Sequence, residues 1–198
     1  MRHVRPAFRA RREASPQIRE IDRRGFLRRL DTLLATYEAA MLPPPGQLPG
    51  RHMIMERHAG HPEFRAFVAE RSRTVVGFGY GFRGESGQWW HDVVRGQLAE
   101  TGGTEHARHW LDDAWEVAEL HVHPAAQGRG LGRALVTSLC ADRPERTIVL
   151  STLDAETPAR NLYRSLGLVD LLTAFRFPGG GPLYAVMGAV LPLTSKRE

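Results

Sequence analysis

The spacing of apolar side chains divides the chain into an N-terminal helical part and a later part in which strands and helices alternate. Apolar residues recur at three- and four-residue intervals from Phe26 to Met41, which predicts an amphipathic helix with one buried stripe. The run Pro43–Gly46 ends that helix, and a short second helix is predicted around residues 52–58. A strand over residues 2–8 is predicted ahead of them.

The pattern then changes to strands rich in β-branched and aromatic residues. Residues 64–70 and 74–82 are predicted to form two strands joined by a tight turn. Further strands are predicted at 115–123, 147–153, 168–177 and 182–191, with helices at 130–142 and from the cap Thr157 to Gly167. This order predicts an α/β fold in which a mixed sheet carries helices on its faces.

Two segments depart from this regular order within a chain whose 198 residues predict a single domain over 1–198. Residues 83–113 are polar and punctuated by glycines, so we expect an irregular insertion with one helix inside 92–100, of the kind that often serves as a lid. Residues 1–30 carry ten arginines against three acidic residues, which predicts a basic arm over about 1–24. A solvated arm is favoured over one that binds nucleic acid.

Composition excludes several other classes of protein. The single cysteine, Cys140, rules out an internal disulfide framework and a cysteine-based zinc site. No apolar stretch approaches the length of about 18 residues that a membrane span needs, and the N-terminus lacks the apolar core of a signal peptide, so we expect a cytoplasmic protein. Glu119, His121 and His123 are of the residue types that bind metals, but the neighbouring glycine turn explains this segment better, and no metal is expected.

The glycine turn Gln127–Gly132 is the most informative motif, because it follows a predicted strand and opens a predicted helix. Glycines let the backbone approach a ligand closely, and the first N–H groups of a helix are unpaired at the positive end of its dipole. Together they predict a site for a pyrophosphate, to which Arg129 and Arg133 add charge. The turn lies behind antiparallel strands and lacks Gly-Lys-Ser/Thr, which argues against a dinucleotide fold and a P-loop.

Two motifs in order resemble the GNAT family of acyltransferases. Residues 120–135 resemble its acetyl-CoA-binding motif, and residues 159–168 are similar to its Asn-x-Tyr helix that ends in a Gly-Leu step. The resemblance implies a splayed, mostly antiparallel sheet in which strands 115–123 and 147–153 are parallel but separate at their ends, and in which the first of them carries a bulge. It also implies acetyl-CoA as cosubstrate, held by Leu120, Val122, Gln127, Gly128, Arg129, Gly130, Leu131, Gly132, Arg133 and Asn161.

Acetyl transfer to an amine needs a base, a donor for the oxyanion and an acid for the departing thiolate. The resemblance assigns the oxyanion contact to the Val122 N–H, and we predict Tyr163 as the acid. Glu116 and Glu119 are both candidates for the base, and burial near the cofactor would raise the pKa of a glutamate. Strict alternation puts them on opposite faces, although a bulge between them can shift either one. His121 and His123 are alternative bases.

The acceptor is left open by the sequence. Trp89, Trp90 and His91 either wall the acceptor pocket or pack the 83–113 insertion onto the domain. A small-molecule or peptide amine is expected, and the acidic strand residues favour a cationic one. The alternatives to an N-acetyltransferase are a non-catalytic CoA-binding regulatory module and a nucleic-acid-binding protein that uses the arginine arm. The two terminal strands have apolar faces, which makes a homodimer a further hypothesis.

Overall fold

The computed structural model describes residues 15–44 and 46–193, which build one mixed sheet covered by helices on both faces. Its strands are β1 (Gln17–Ile21), β2 (Arg65–Arg71), β3 (Thr74–Arg83), β4 (Ala114–Val122), β5 (Thr147–Leu153), β6 (Val169–Phe175) and β7 (Tyr184–Val190). Its helices are α1 (Arg23–Leu27), α2 (Leu30–Met41), α3 (Leu48–His58), α4 (Trp89–Gly102), α5 (Thr104–Leu111), α6 (Leu131–Cys140) and α7 (Pro158–Ser165).

The strands form one sheet in the order β1-β2-β3-β4-β5-β7-β6. All neighbours are antiparallel except β4 and β5, which are parallel and joined through α6. The predicted α/β class and the mostly antiparallel mixed sheet are therefore confirmed. Within the described residues, no helix is long and apolar enough to cross a bilayer.

The two faces of the sheet are covered by different helices. On one face α6 and α7 pack against alternate residues such as Trp115 and Val117 of β4. On the other face α1–α3 cover β2 and β3, while α4 and α5 cover β5, β6 and β7. Ala114 of β4 packs with α4 and α5, and Ala118 packs with α1–α3. Because residues 114 and 118 of a strand point to the same side, these two groups of helices lie on one face of the sheet.

A β-bulge interrupts β4 in its middle. Tyr80 pairs with Glu119 but Gly81 pairs with Val117, which leaves Ala118 as an extra residue on β4. The extra residue shifts the alternation of side chains by one position. Glu116 and Glu119 therefore lie on the same face of the sheet, the face covered by α1–α5, rather than on opposite faces as strict alternation predicts.

The prediction of an irregular segment over 83–113 with a single helix is wrong, because α4 and α5 occupy most of it. Val94, Leu98 and Leu111 are fully buried against the sheet, at spacings typical of helices with one apolar stripe. Gly103, at φ +85°, separates the two helices. The segment is thus a helical hairpin that completes one face of the sheet.

The N-terminal predictions also change. The strand expected at residues 2–8 lies outside the described residues, whereas residues 17–21, expected in the basic arm, form the edge strand β1. Only Ile18 and Ile21 of this strand contact the core, and its other side chains are exposed or half-exposed and polar. With so few apolar positions, the sequence of this edge strand could not be distinguished from the arginine-rich segment around it. The single helix predicted from Phe26 is divided into α1 and α2 near Arg28.

Candidate functional site

The parallel strands β4 and β5 separate, as expected, partway along their length. Their pairing covers three residue pairs and ends at Glu116 and Val149. Beyond that point the His123 N–H donates to the Val76 carbonyl of β3 at 2.9 Å. Because N–H groups alternate along a strand, those of Leu120 and Val122 point the other way, into the gap between β4 and β5. We call this gap the splay.

The glycine turn lies directly after β4 and presents bare backbone at the start of α6. Gly128 and Gly130 adopt φ angles of +71° and +77°, which glycine tolerates best. A Cβ added at either position would meet no heavy atom within 4 Å, so the turn has an open outer face. No side chain caps α6, which leaves its first N–H groups available to an anion.

Most side chains of the turn hold it in place rather than face a ligand. Gln127 Nε2 donates to the Val122 carbonyl at 2.9 Å, and Leu131 is buried in the core. Arg133 donates to Ser165 Oγ at 2.7 Å, and a Cβ on Gly132 would lie 3.2 Å from Leu162 of α7. Arg129 is exposed. Leu131 can therefore offer a ligand only its backbone, and the roles of Gln127 and Arg133 as cofactor ligands remain predictions.

Helix α7 brings two predicted residues next to this turn. Thr157 Oγ1 accepts from the Arg160 N–H at 3.1 Å, so the helix begins at the predicted cap. Asn161 is exposed, whereas Tyr163 is buried in the core between α6 and the sheet. Burial, together with the negative charge of Glu119, raises the pKa of the Tyr163 phenol well above its ordinary value. The phenol therefore keeps its proton at neutral pH.

Glu119 is buried and already has two partners. Arg51 of α3 donates to its Oε1 at 2.7 Å, and His121 Nε2 is hydrogen-bonded to its Oε2. Burial alone would raise the pKa of this carboxyl, but the hydrogen bond with His121 and the charges of His121 and Arg51 lower it below its usual value. Glu119 is therefore a carboxylate with compensated charge rather than a free site for a cation.

Glu116 forms the second buried pair. Its Oε1 lies 2.7 Å from His91 Nδ1, and the two side chains are 4% and 3% exposed. Burial raises the pKa of the Glu116 carboxyl, although the hydrogen bond with His91 opposes part of the shift. Gly84 fits closely over the pair, since a Cβ there would overlap the carboxylate and lie 2.8 Å from His91 Nδ1.

His91→Ala is expected to lower the free energy of unfolding by about 3 kcal/mol, because it leaves a buried carboxyl without its partner. Urea unfolding at neutral pH measures the loss, and His91→Asn, which retains a polar group, is expected to lose less. A loss below about 1 kcal/mol for His91→Ala would contradict a buried contact between α4 and β4 at this point.

Trp89 and Trp90, the other two residues predicted to bind the acceptor, directly precede His91 at the start of α4. Trp90 Nε1 donates to Ser151 Oγ of β5 at 3.2 Å, and its ring packs against the core under α4. Trp89 is 59% exposed, with its ring 5.6 Å from that of Phe177. These residues belong to the first turn of a helix, not to a loop, and of the three only Trp89 is mainly exposed.

The comparisons with known proteins agree with this geometry. The family model described as "Acetyltransferase (GNAT) family" matches residues 30–168, which is most of the chain. The chain belongs to the GNAT family of acetyltransferases. A GCN5-like protein acetyltransferase of Mycobacterium tuberculosis is 38% identical over 131 residues, 64% of this chain and 64% of that protein. A mycothiol acetyltransferase of Thermomonospora curvata is 33% identical over 116 residues, 55% of this chain and 36% of that protein. The chain thus spans less than two thirds of either relative.

Solved structures of GNAT enzymes share the fold. The ribosomal-protein-S18-alanine N-acetyltransferase of Escherichia coli superposes with a TM-score of 0.61 at 15% identity, covering 92% of this chain and 98% of that one. A phosphinothricin acetyltransferase of Sinorhizobium meliloti, solved with acetyl-CoA, gives 0.60 at 18% identity, covering 90% and 89%. At this level of identity the likeness establishes the fold.

The residues of this GNAT chain fit acetyl-CoA at the splay. The open glycine turn suits the pyrophosphate, and the gap side of β4 offers the N–H groups of Leu120 and Val122 to the rest of the molecule. A surface cleft of about 450 Å³ lies instead at the start of β4 and β5, lined by Asp113 and Arg146 among others. We place the candidate site at the splay, because the free backbone and the buried glutamates lie there.

Sequence reasoning missed Arg51 and Tyr37. Arg51 contacts Glu119, and its guanidinium lies 5.0 Å from the centre of the Tyr37 ring, so α2 and α3 close over the bulge. Arg51 lies 68 residues from Glu119 in the chain, and no local pattern marks it. Of the alternative bases, His121 lies beside Glu119, whereas His123 is exposed and accepts from the Ala125 N–H.

Proposed function

We propose that this chain transfers the acetyl group of acetyl-CoA to a primary amine by direct attack of the amine on the thioester. The proposal rests on one observation, which is that the glycine turn and the two glutamates lie on opposite faces of the sheet at the splay. An open anion-binding turn follows β4 and opens α6 on one face, while the bulge places both glutamates on the opposite face. Two reactants can therefore approach the unpaired part of β4 from opposite sides, which is the positioning that a bimolecular transfer needs.

Backbone groups would hold the acetyl donor. The N–H groups at the start of α6 would bind the pyrophosphate, and Arg129 would add charge to the site. Leu120 and Val122 would offer N–H groups along the gap, and the Val122 N–H would stabilise the oxyanion. Such donors are fixed by the strand and the helix, so they need no rearrangement when the charge develops.

Glu116 is the base in this proposal. Its raised pKa brings the carboxyl closer to the working pH of a general base, whereas Glu119 is held ionised by Arg51 and His121. The ammonium of the acceptor would lose its proton to Glu116, directly or through one water. The amine nitrogen would then attack the thioester carbon, so that a C–N bond forms as the C–S bond breaks.

Tyr163 is the acid that would protonate the departing thiolate. It lies on α7, which packs against α6 at the start of that helix, and its phenol remains protonated at neutral pH. The proton leaves the phenol oxygen as the sulfur gains the electron pair of the broken bond. The nitrogen loses a second proton as the amide forms, and this proton offsets the one that Tyr163 gives to the thiolate. The proton taken up by Glu116 is released to solvent, and solvent returns a proton to Tyr163.

Glu116→Gln tests the assignment of the base. With rates expressed per protonated amine, kcat/KM of the wild type should rise with pH through the raised pKa of Glu116, because only the carboxylate accepts a proton. The variant should lose that rise and about 100-fold of kcat/KM. Glu145→Gln, which alters another buried glutamate at the start of β5, should retain the rise. An unchanged pH profile in Glu116→Gln would rule out Glu116 as the base.

A further inference from the structure

One exposed and three half-buried aromatic rings gather at the C-terminal end of β5. Trp89 is 59% exposed and lies 5.6 Å from Phe177, whose ring is in turn 4.8 Å from Phe175 and 5.3 Å from Tyr184. We call Trp89, Phe175, Phe177 and Tyr184 the aromatic ledge. Leu153 and Leu183 beside it are 38% and 40% exposed. Adjoining exposed apolar side chains of this kind mark binding surfaces.

The aromatic ledge is joined to the proposed base through one turn of α4. Trp89 contacts Phe177, Trp90 is hydrogen-bonded to Ser151, and His91 is hydrogen-bonded to Glu116. Along β5, Leu153 pairs with Tyr184 of the ledge and Val149 pairs with Glu116. Leu153 is two strand residues, or about 7 Å, beyond Ser151. The ledge therefore lies on the acceptor side of the splay, within the length of a small molecule from it.

The charges near the splay do not suit a polycation. Glu119 is compensated by Arg51 and His121, and Glu116 is buried in its pair with His91. Neither carboxylate is therefore free to bind several positive charges beyond the single ammonium that Glu116 deprotonates in the proposed reaction. Beyond the proposed base, the site offers the apolar rings of the aromatic ledge, including the exposed face of Trp89.

From this arrangement we infer that the acceptor is a small primary amine that carries an aromatic ring. The inference rests on the proposed function and names its substrate class. The ring of the acceptor packs on the aromatic ledge against Trp89 and Phe177, and the amine extends along β5 into the splay near Ser151, from which its proton reaches Glu116 through water. Aromatic rings pair favourably in offset or edge arrangements, and burial of the ring removes apolar surface from water.

Kinetics with matched amines test this inference. The acceptors are 2-phenylethylamine, ethylamine and spermine, each with acetyl-CoA, and the rate is followed by free-thiol release and by mass spectrometry of the amine. The wild type should favour 2-phenylethylamine over ethylamine by about tenfold or more in kcat/KM, as burial of a ring predicts. Trp89→Ala should reduce that preference by about tenfold, mainly through KM.

The control is Val190→Ala, which removes apolar surface from a residue that is 54% exposed and pairs with Thr147 at the far end of β5. It should retain the preference for the aromatic amine. Equal rates with ethylamine and 2-phenylethylamine, a faster rate with spermine, or an unchanged preference in Trp89→Ala would each overturn the inference while the proposed function stands. Acetylation of none of the three amines would overturn both.

Discussion

Gly130→Trp is expected to raise the Kd of acetyl-CoA by about 100-fold or more. Gly130 begins α6 with φ +77°, and the space around its missing Cβ is open. An indole placed there fills the position that the pyrophosphate would occupy and screens the first N–H groups of the helix. The loss of two charge-assisted hydrogen bonds, about 1.5 kcal/mol each, corresponds to about 100-fold in Kd.

Calorimetric titration with acetyl-CoA measures this loss, and Gly46→Trp is the matched control. Gly46 has φ +86° and the same open space around a Cβ, but it lies in the connection between α2 and α3. Both variants carry the same backbone strain, so a similar fall in melting temperature is expected for each. Equal affinity for acetyl-CoA in Gly130→Trp and Gly46→Trp would contradict the placement of the pyrophosphate at the glycine turn.

Tyr163→Phe is expected to lower kcat by about 100-fold, the usual contribution of a general acid, with little change in the KM of acetyl-CoA. The substitution removes one hydroxyl and leaves the buried ring in the core between α6 and the sheet. The affinity for the donor should therefore survive while protonation of the departing thiolate is lost. Steady-state kinetics with varied acetyl-CoA at a saturating concentration of amine measure the two parameters separately.

Tyr80→Phe is the control for Tyr163→Phe. Its phenol is also fully buried, but it lies on the opposite face of the sheet and is hydrogen-bonded to His58 Nδ1 at 3.1 Å. We expect it to reduce stability and to keep kcat within about threefold. A rise in the KM of acetyl-CoA without a fall in kcat for Tyr163→Phe would mean that Tyr163 has a packing role and that another group protonates the thiolate.

The elements with local signals were predictable from the sequence. The run from Thr147 to Leu153 is almost entirely apolar or β-branched, and the structure forms β5 over those same residues. Thr157 and Pro158 mark the start of α7 because a side-chain cap and a fixed φ act within the helix itself. The glycine turn could also be predicted, because glycine is the residue that best tolerates the positive φ angles found at Gly128 and Gly130.

What the sequence left undetermined depends on contacts between distant residues. The bulge that the resemblance implies in this strand is confirmed, but its position at Ala118 is set by the register with β3, and that position decides that Glu116 and Glu119 share a face. Glu119 has one nearby partner, His121, but the other partners of the two glutamates, His91 and Arg51, come from α4 and α3, 25 and 68 residues away. Sequence reasoning could place both carboxylates on the strand, but it could not say that each one is already paired.

The helical hairpin α4–α5 is the largest feature that local patterns failed to predict. Its buried residues are few, and Gly102 and Gly103 interrupt the periodicity between its two helices. The hairpin becomes regular because it packs against β5, β6 and β7. Through His91 and Trp89 it also contributes to the candidate site, so a segment expected to be irregular carries part of the proposed acceptor specificity.

The central claim is that this chain moves an acetyl group from acetyl-CoA to an amine. The most direct test incubates the protein with acetyl-CoA and, in turn, with 2-phenylethylamine, ethylamine and spermine, and it measures the free CoA thiol and the N-acetylated amine in the same samples. We expect the two products to appear in equal amounts, and at an acetyl-CoA concentration near the wild-type Kd we expect Gly130→Trp to form only a small fraction of either. Tight binding of acetyl-CoA without either product, or thiol release without an acetylated amine, would contradict the claim.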